Sequence, residues 1–197
     1  TGKTRLVTRF GWTWLGDFPG GAWFCDLSSA RDLDGIVQAV AQALGVRLGA
    51  DDPVQQLGHV IAGRGACLLI LDNFEQVARH ADDTLGRWLD RAAEARFLVT
   101  TREVLGLHGE QALALAPLAV AEATDLFTRR AMASRRDFQP TADDQAAIPK
   151  LVKLLDGLPL AIELAAARVR VMTPRTLLAR MDQRFRLLSA SGGRRDR

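Results

Sequence analysis

The sequence predicts an α/β fold, a parallel sheet flanked by helices, followed by a smaller all-helical region. Three observations predict it. Helix-like and strand-like segments alternate with short connections from the start to about residue 117. The strand-like segments are short apolar runs, such as Cys67 to Leu71, of the kind buried on both faces of a parallel sheet. From Ala121 onward only helical periodicity remains, which places a boundary near residues 117–121.

The elements follow in order. Leu6, Val7, Phe10 and Trp14 share one helical face directly behind Gly2-Lys3-Thr4, so the chain opens on a helix. Gly20-Gly21 makes a turn, and Ala22 to Leu27 reads as a strand. Leu33, Ile36, Val37, Val40, Ala41 and Leu44 repeat at helical spacing, with Asp32 near the start and Gly45 at the end. Asp51-Asp52-Pro53 starts a short helix to about Ala62. The strand Cys67 to Leu71 ends in Asp72, and a helix carrying Leu85, Trp88, Leu89 and Ala92 follows. Phe97 to Thr101 is the next strand, and Gln111 to Leu115 predicts a further one. In the second region Leu126, Phe127 and Ala131 mark one helix. Leu151, Val152 and Leu155 mark a second, with Pro149 as a first-turn residue or a kink. Gly157 ends it, Pro159 begins a third, and Thr173-Pro174 opens a fourth with Leu177, Leu178, Met181 and Phe185. The polar stretch from Ser189 reads as a flexible tail. The expected organisation is an α/β core over 1–118, a helical subdomain over 119–188 and a tail over 189–197.

Composition excludes several classes. Apolar residues make up 48% and charged residues 25% of the 197, the balance of a globular protein rather than a disordered or collagen-like chain. No apolar run approaches the roughly 18 residues of a membrane helix, no signal-peptide pattern opens the chain, and no membrane partner is expected. The net charge of +3 comes almost wholly from arginine, since Lys3, Lys150 and Lys153 are the only lysines. Those arginines are interleaved with acids, as in Arg31-Asp32 and Asp90-Arg91, where a nucleic-acid face would be clustered. The four tryptophans read as core or helix-packing residues. Cys25 and Cys67 lie in apolar runs, so buried, inert thiols and a reducing cytoplasm are expected. His59, His80 and His108 show no metal-ligand spacing.

The chemistry-bearing residues fall at element ends. Gly2-Lys3-Thr4 opening a helix matches the second half of the phosphate loop G-x-x-x-x-G-K-[ST]. That pattern works because backbone N–H groups at a helix start hold phosphate oxygens, the lysine reaches the β- and γ-phosphates, and the hydroxyl meets Mg²⁺. The tripeptide alone is common by chance. Asp72 ends an apolar strand about 70 residues later, where a carboxylate can hold Mg²⁺ directly or through water, or can simply cap the next helix. Asn73 stands where many such ATPases place a second acid, and Glu75 is either a base that polarises water or a solvated helix-start acid. Arg102, after Thr100-Thr101, ends the next strand on the same sheet edge; it can read a γ-phosphate or make a surface ion pair. In Gly157 to Ala161 the glycine and proline end one helix and start the next, whatever else Pro159 touches.

Taken together, these stretches resemble the nucleotide-binding core of STAND-type signalling ATPases, relatives of the NB-ARC domain, in the branch found in large LuxR-type and SARP-type bacterial transcription regulators. The resemblance runs through Gly2 to Leu6, Phe18 to Leu27, Leu68 to Val77, Val99 to Glu103, Leu105 to Glu110 and Asp156 to Arg168, in family order and spacing. It implies a P-loop NTPase core and a helical lid. Gly2, Lys3 and Thr4 would be the retained half of Walker A, Thr4 and Asp72 the Mg²⁺ ligands, Arg102 the phosphate sensor, and Pro159 a contact to the adenine side of ADP or ATP. It further implies a nucleotide-driven switch with slow hydrolysis, self-association or partner domains, and DNA contacts only through a domain outside this chain. Two alternatives remain: a non-hydrolysing ADP-binding module acting through protein contacts, and an AAA+ ATPase of the initiator type.

The chain departs from the family pattern in three places. Asn73 replaces the second acid, which leaves the catalytic base open. Four Walker A positions and the first strand are expected upstream of Thr1, and the family's winged-helix subdomain with its sensing histidine downstream, so none of the three histidines takes that role. Without a central strand of some five apolar residues, at roughly 1.5–3 kcal/mol each, the chain by itself is expected to be unstable and to bind nucleotide weakly.

Overall fold

A computed structural model describes residues 2–49 and 51–191, with side chains to residue 183. The chain divides into two compact units, Lys3–Ala114 and a second that takes in Leu115 onward.

The first unit is α/β. Helix α1 (Lys3–Thr13) precedes strand β1 (Ala22–Asp26), helices α2 (Leu33–Leu44) and α3 (Pro53–Ala62), strand β2 (Leu68–Asp72), helix α4 (Arg87–Arg91) and strand β3 (Arg96–Val99). The three strands form one parallel sheet in the order β1-β2-β3. β2 is the central strand and is buried along its whole length, which explains its unbroken apolar sequence. Leu69 and Leu71 join a core with Ile36, Val40, Leu57, Ile61, Phe74 and Trp88, while Leu68 and Ile70 meet Val7 on the other side. Inside the larger core the Trp88 indole N–H donates to the Val54 carbonyl at 2.9 Å. Asp32 caps α2 through the Gly35 N–H, and Gly45 closes that helix at φ 68. Asp52 caps α3 through the Gln55 N–H, with Pro53 in the first turn.

The second unit is helical: α5 (Val120–Ser134), α6 (Ala142–Leu154), α7 (Pro159–Ala167) and α8 (Pro174–Ser191). Phe127 packs with Ala123, Ala131, Ile162 and Ala166, and the small alanines let α5 and α7 approach closely. Thr141 and Asp144 form a capping box on α6, and Asp144 also accepts the Arg175 N–H of α8.

Several expectations change. No strand forms at Gln111 to Leu115; the segment is alanine-rich, mostly exposed and paired with no neighbouring strand. Leu27 falls just outside β1, and Thr100 and Thr101 just outside β3, though the Thr100 N–H still bonds the Leu71 carbonyl. The helix predicted around Leu85 begins as a single π-turn, Asp82–Gly86, before α4. Pro149 lies well inside α6, which starts at Ala142. Of the apolar stripe on α1 only Val7 is buried; Leu6, Phe10 and Trp14 remain substantially exposed. Trp12 is 74% exposed, so only Trp88 among the tryptophans is a fully buried core residue. α8 extends through Ser191, so the first three residues of the expected tail are helical, and the rest of that tail lies outside the described residues. Cys25 and Cys67 are buried and unbridged, and burial pushes the Cys25 thiol up to about 12. Among the described residues no helix is long and apolar enough to cross a membrane.

Candidate functional site

The C-terminal edge of the sheet collects the polar residues that follow its apolar strands. Parallel register sets Asp26 of β1 directly beside Asp72 of β2. The ladder continues past the strands: Leu27 N–H bonds the Asp72 carbonyl, Thr100 N–H bonds Leu71, and Phe74 N–H bonds Thr100. Asp26, Asp72 and Thr100 thus stand side by side on adjacent chains. α1 reaches the same edge because Gly11 is buried against β2, where an added Cβ would lie 2.8 Å from Ile70 Cδ1. That close approach brings the first turn of α1 to the strand ends.

Asp72 is the centre of the arrangement. It is 2% exposed. The Thr4 hydroxyl lies 3.0 Å from its Oδ1 and 2.8 Å from its Oδ2. The Thr100 hydroxyl donates to Oδ1 at 2.5 Å, and the Asn73 amide donates to Oδ2 at 3.2 Å. The same amide donates to Asp26 Oδ1 at 3.1 Å, tying the two strand-end acids together. Asn73 achieves this from the left-handed region, at φ 64, which asparagine tolerates better than most residues. Its own N–H donates to Thr100 Oγ1 at 3.0 Å. Hydrogen bonds from the Ser28 backbone and side chain, and then from Asn73, hold the Asp26 carboxyl below its usual range.

The two cationic candidates sit beside this network. The Lys3 ammonium donates to the Thr101 carbonyl, immediately after Thr100. Arg102 Nε pairs with Glu75 Oε1 at 3.1 Å. Arg102 is 82% exposed, whereas the Glu75 side chain is only 20% exposed, and Glu75 Oε2 is buried without a hydrogen-bond partner. Beyond Arg102 the chain is held by Glu110, whose carboxylate accepts from the Leu105, Gly106 and Leu107 N–H groups.

Of the residues singled out in the sequence, Lys3, Thr4, Asp72, Glu75 and Arg102 therefore gather in one neighbourhood of the α/β unit. Gly2 precedes α1 with φ 85, a backbone conformation that suits glycine. Pro159 is the first residue of α7 in the helical unit, behind Gly157 at φ 62. Three participants escape sequence reasoning: Thr100, the Thr101 carbonyl and Asp26. Thr100 carried a signal, since it is the first polar residue after an apolar strand neighbouring β2. Asp26 carried a similar one as the polar last residue of β1.

The donor set around Asp72 is hard oxygen: one carboxylate and one hydroxyl, with only neutral groups donating to the acid. Such a pair suits Mg²⁺, which binds through one or two protein oxygens and leaves other positions to phosphate and water. It does not make an all-protein metal cage, and among the described residues no group of three or more His, Cys, Asp or Glu is placed to hold a metal.

No family model matches the chain. It is 34% identical over 195 residues to uncharacterized proteins of Mycobacterium tuberculosis and Mycobacterium bovis, covering 98% of this chain and 49% of each relative. A second Mycobacterium tuberculosis protein, provisionally named an HTH-type transcriptional regulator, is 32% identical over 193 residues, covering 95% of this chain and 21% of that protein. The chain spans about half the length, or less, of the curated relatives it matches.

Proposed function

We propose that this chain is the nucleotide-binding switch segment of a STAND-type signalling ATPase that serves a bacterial transcription regulator. The observation that carries the reading is the Thr4–Asp72 contact, with the Lys3 ammonium beside it, at the C-terminal edge of a parallel sheet. In open α/β sheets that edge is where ligands bind. A lysine and a threonine hydroxyl in the first turn of a helix, facing a strand-end carboxylate, match the needs of a magnesium–nucleotide complex. Thr4 and Asp72 would hold Mg²⁺, which supplies charge neutralisation for the phosphates when bound. Lys3 would bind the β- and γ-phosphates, Arg102 would contact the γ-phosphate, Glu75 would orient water, and Gly2 would let the backbone approach phosphate. The similarity to a protein named as an HTH-type regulator supports a regulatory setting, with DNA contacted by a segment outside this chain.

A second reading has its own support. Asn73 stands in place of an acid and Glu75 is already paired with Arg102, which favours an ADP-holding module that works through partner contacts without turnover. Binding of a fluorescent ADP analogue to the full-length protein, with and without Mg²⁺, tests the common core. The expected result is saturable binding that Lys3→Ala weakens by at least about tenfold, the loss of one charge-assisted contact. Equal binding by the wild type and Lys3→Ala, or none by either, overturns the proposal. Single-turnover phosphate release from ATP then separates the two readings.

A further inference from the structure

We propose that Thr100 is the positioning residue for Asp72, the group that fixes the carboxylate so that it can hold Thr4 toward a cation. The inference deepens the nucleotide reading above and rests on it.

Its basis is the direction of each hydrogen bond. The Thr100 hydroxyl has one proton, and its position at 2.5 Å from Asp72 Oδ1 commits that proton to the carboxylate. Its oxygen meanwhile accepts the Asn73 N–H at 3.0 Å. Both the donor and the acceptor of the Thr100 hydroxyl are engaged, and the residue is 4% exposed. Asp72 is therefore clamped at Oδ1 by Thr100 and steadied at Oδ2 by the Asn73 amide. The remaining contact is Thr4, whose single proton is shared between the two oxygens at 3.0 and 2.8 Å. A hydroxyl that donates to a carboxylate keeps its lone pairs free for a cation, and the donation makes those lone pairs more basic. The order of control runs from Thr100 to Asp72 to Thr4. Thr100 touches neither cation nor nucleotide in this scheme. It acts as outer-shell partners do at metal sites, where removal typically costs 10–100-fold in metal affinity.

The test uses the full-length protein and titrates Mg²⁺ against a fluorescent ADP analogue, reading the half-saturating Mg²⁺ concentration. Thr100→Val keeps the shape and removes the hydroxyl. It is expected to raise that midpoint by about tenfold or more, while affinity for the analogue in EDTA stays within about twofold, since the clamp acts only through the cation ligands. Thr100→Ser restores the hydroxyl and is expected to return the midpoint to near wild type. Should Thr100→Val fail to fold by circular dichroism, Thr100→Cys, with a poor S–H donor in similar bulk, must show the displaced midpoint. A merely structural role would lower the melting temperature and leave the Mg²⁺ midpoint in place. An unmoved midpoint in the valine or cysteine variant, with Asp72→Asn losing the Mg²⁺ response, overturns this inference alone; so does a serine variant that fails to restore it. A wild-type protein that binds no analogue overturns the nucleotide reading and this inference with it.

Discussion

The ion pair between Arg102 and Glu75 makes a prediction with a definite sign. If Arg102 contacts a γ-phosphate, it must leave Glu75 to do so, and the pair competes with ATP. Glu75→Gln removes the competitor. The size of the effect follows from exposure: Arg102 is 82% exposed and bonds through Nε alone at 3.1 Å, so solvent screens the pair. Such pairs contribute about 0–1 kcal/mol, which caps the gain in ATP affinity near fivefold. ADP, lacking the γ-phosphate, gains less. Stability is expected to hold or rise slightly, because Glu75 Oε2 is buried without a partner and the substitution removes its charge. The assay is a pair of titrations, ATP and ADP analogues against the full-length protein, in wild-type and Arg102→Ala backgrounds. Losing a carboxylate near a triphosphate helps binding by simple repulsion, so the cycle is needed to isolate the competition. The reasoning predicts that the ATP-specific gain disappears in the Arg102→Ala background. A gain of equal size in both backgrounds refutes it.

Two further predictions probe the fold that carries the site. Cys25 keeps its proton to about 12 because it is buried, whereas the ordinary thiol ionises near 9, so stability contributed by this group is intact below pH 9 and falls as pH rises from there toward 12. Native protein is expected to leave Cys25 unreactive to a thiol reagent at pH 8, and the urea midpoint to decline above pH 9 by more than in Cys25→Ala. In the helical unit, Gly157→Ala combines a left-handed φ of 62 with a Cβ placed 2.4 Å from the Leu118 carbonyl oxygen. A left-handed alanine alone costs roughly 1–2 kcal/mol, and the overlap adds to it, so faster amide exchange in α6 is expected in the variant.

What could be read in advance divides by range of interaction. The buried strand β2 was legible in Cys67 to Leu71, since an unbroken apolar run of that length suits burial on both faces of a parallel sheet; its central place among the three strands was not. The caps at Asp32 and Asp52 were legible because each acts within three residues of itself; the cap at Thr141 was not, since the start of α6 was not read there. Lys3, Thr4, Asp72 and Arg102 stood out by their places at element ends, and they gather in one neighbourhood. Thr100 showed only its place as the first polar residue after an apolar strand; its contact with Asp72 joins residues 28 positions apart and depends on strand order. The π-turn at Asp82–Gly86 and the left-handed Asn73 were not read from the sequence either, although asparagine tolerates that backbone region better than most residues. The segment Gln111 to Leu115 misled: its pattern alternates, but a strand needs a partner and none is adjacent.

The site depends on strand register more than on any single residue. Leu68 and Ile70 face Val7 while Leu69 and Leu71 face the larger core, so the period of two assigns every side chain of β2 to a side. A shift of β2 by one residue would exchange those two sets and bury nothing better. It would also carry Asp72 out of line with Asp26 on one side and Thr100 on the other. Apolar matching on both faces therefore fixes the position of a carboxylate that is itself buried and could not choose its place by solvation. The polar network contributes the complement. Thr4, Asn73 and Thr100 satisfy both oxygens of Asp72, without which a buried acid at a strand end would oppose the register that the leucines favour. Core and site are thus mutually consistent: the sheet aligns the polar ends, and the polar ends remove the penalty of that alignment.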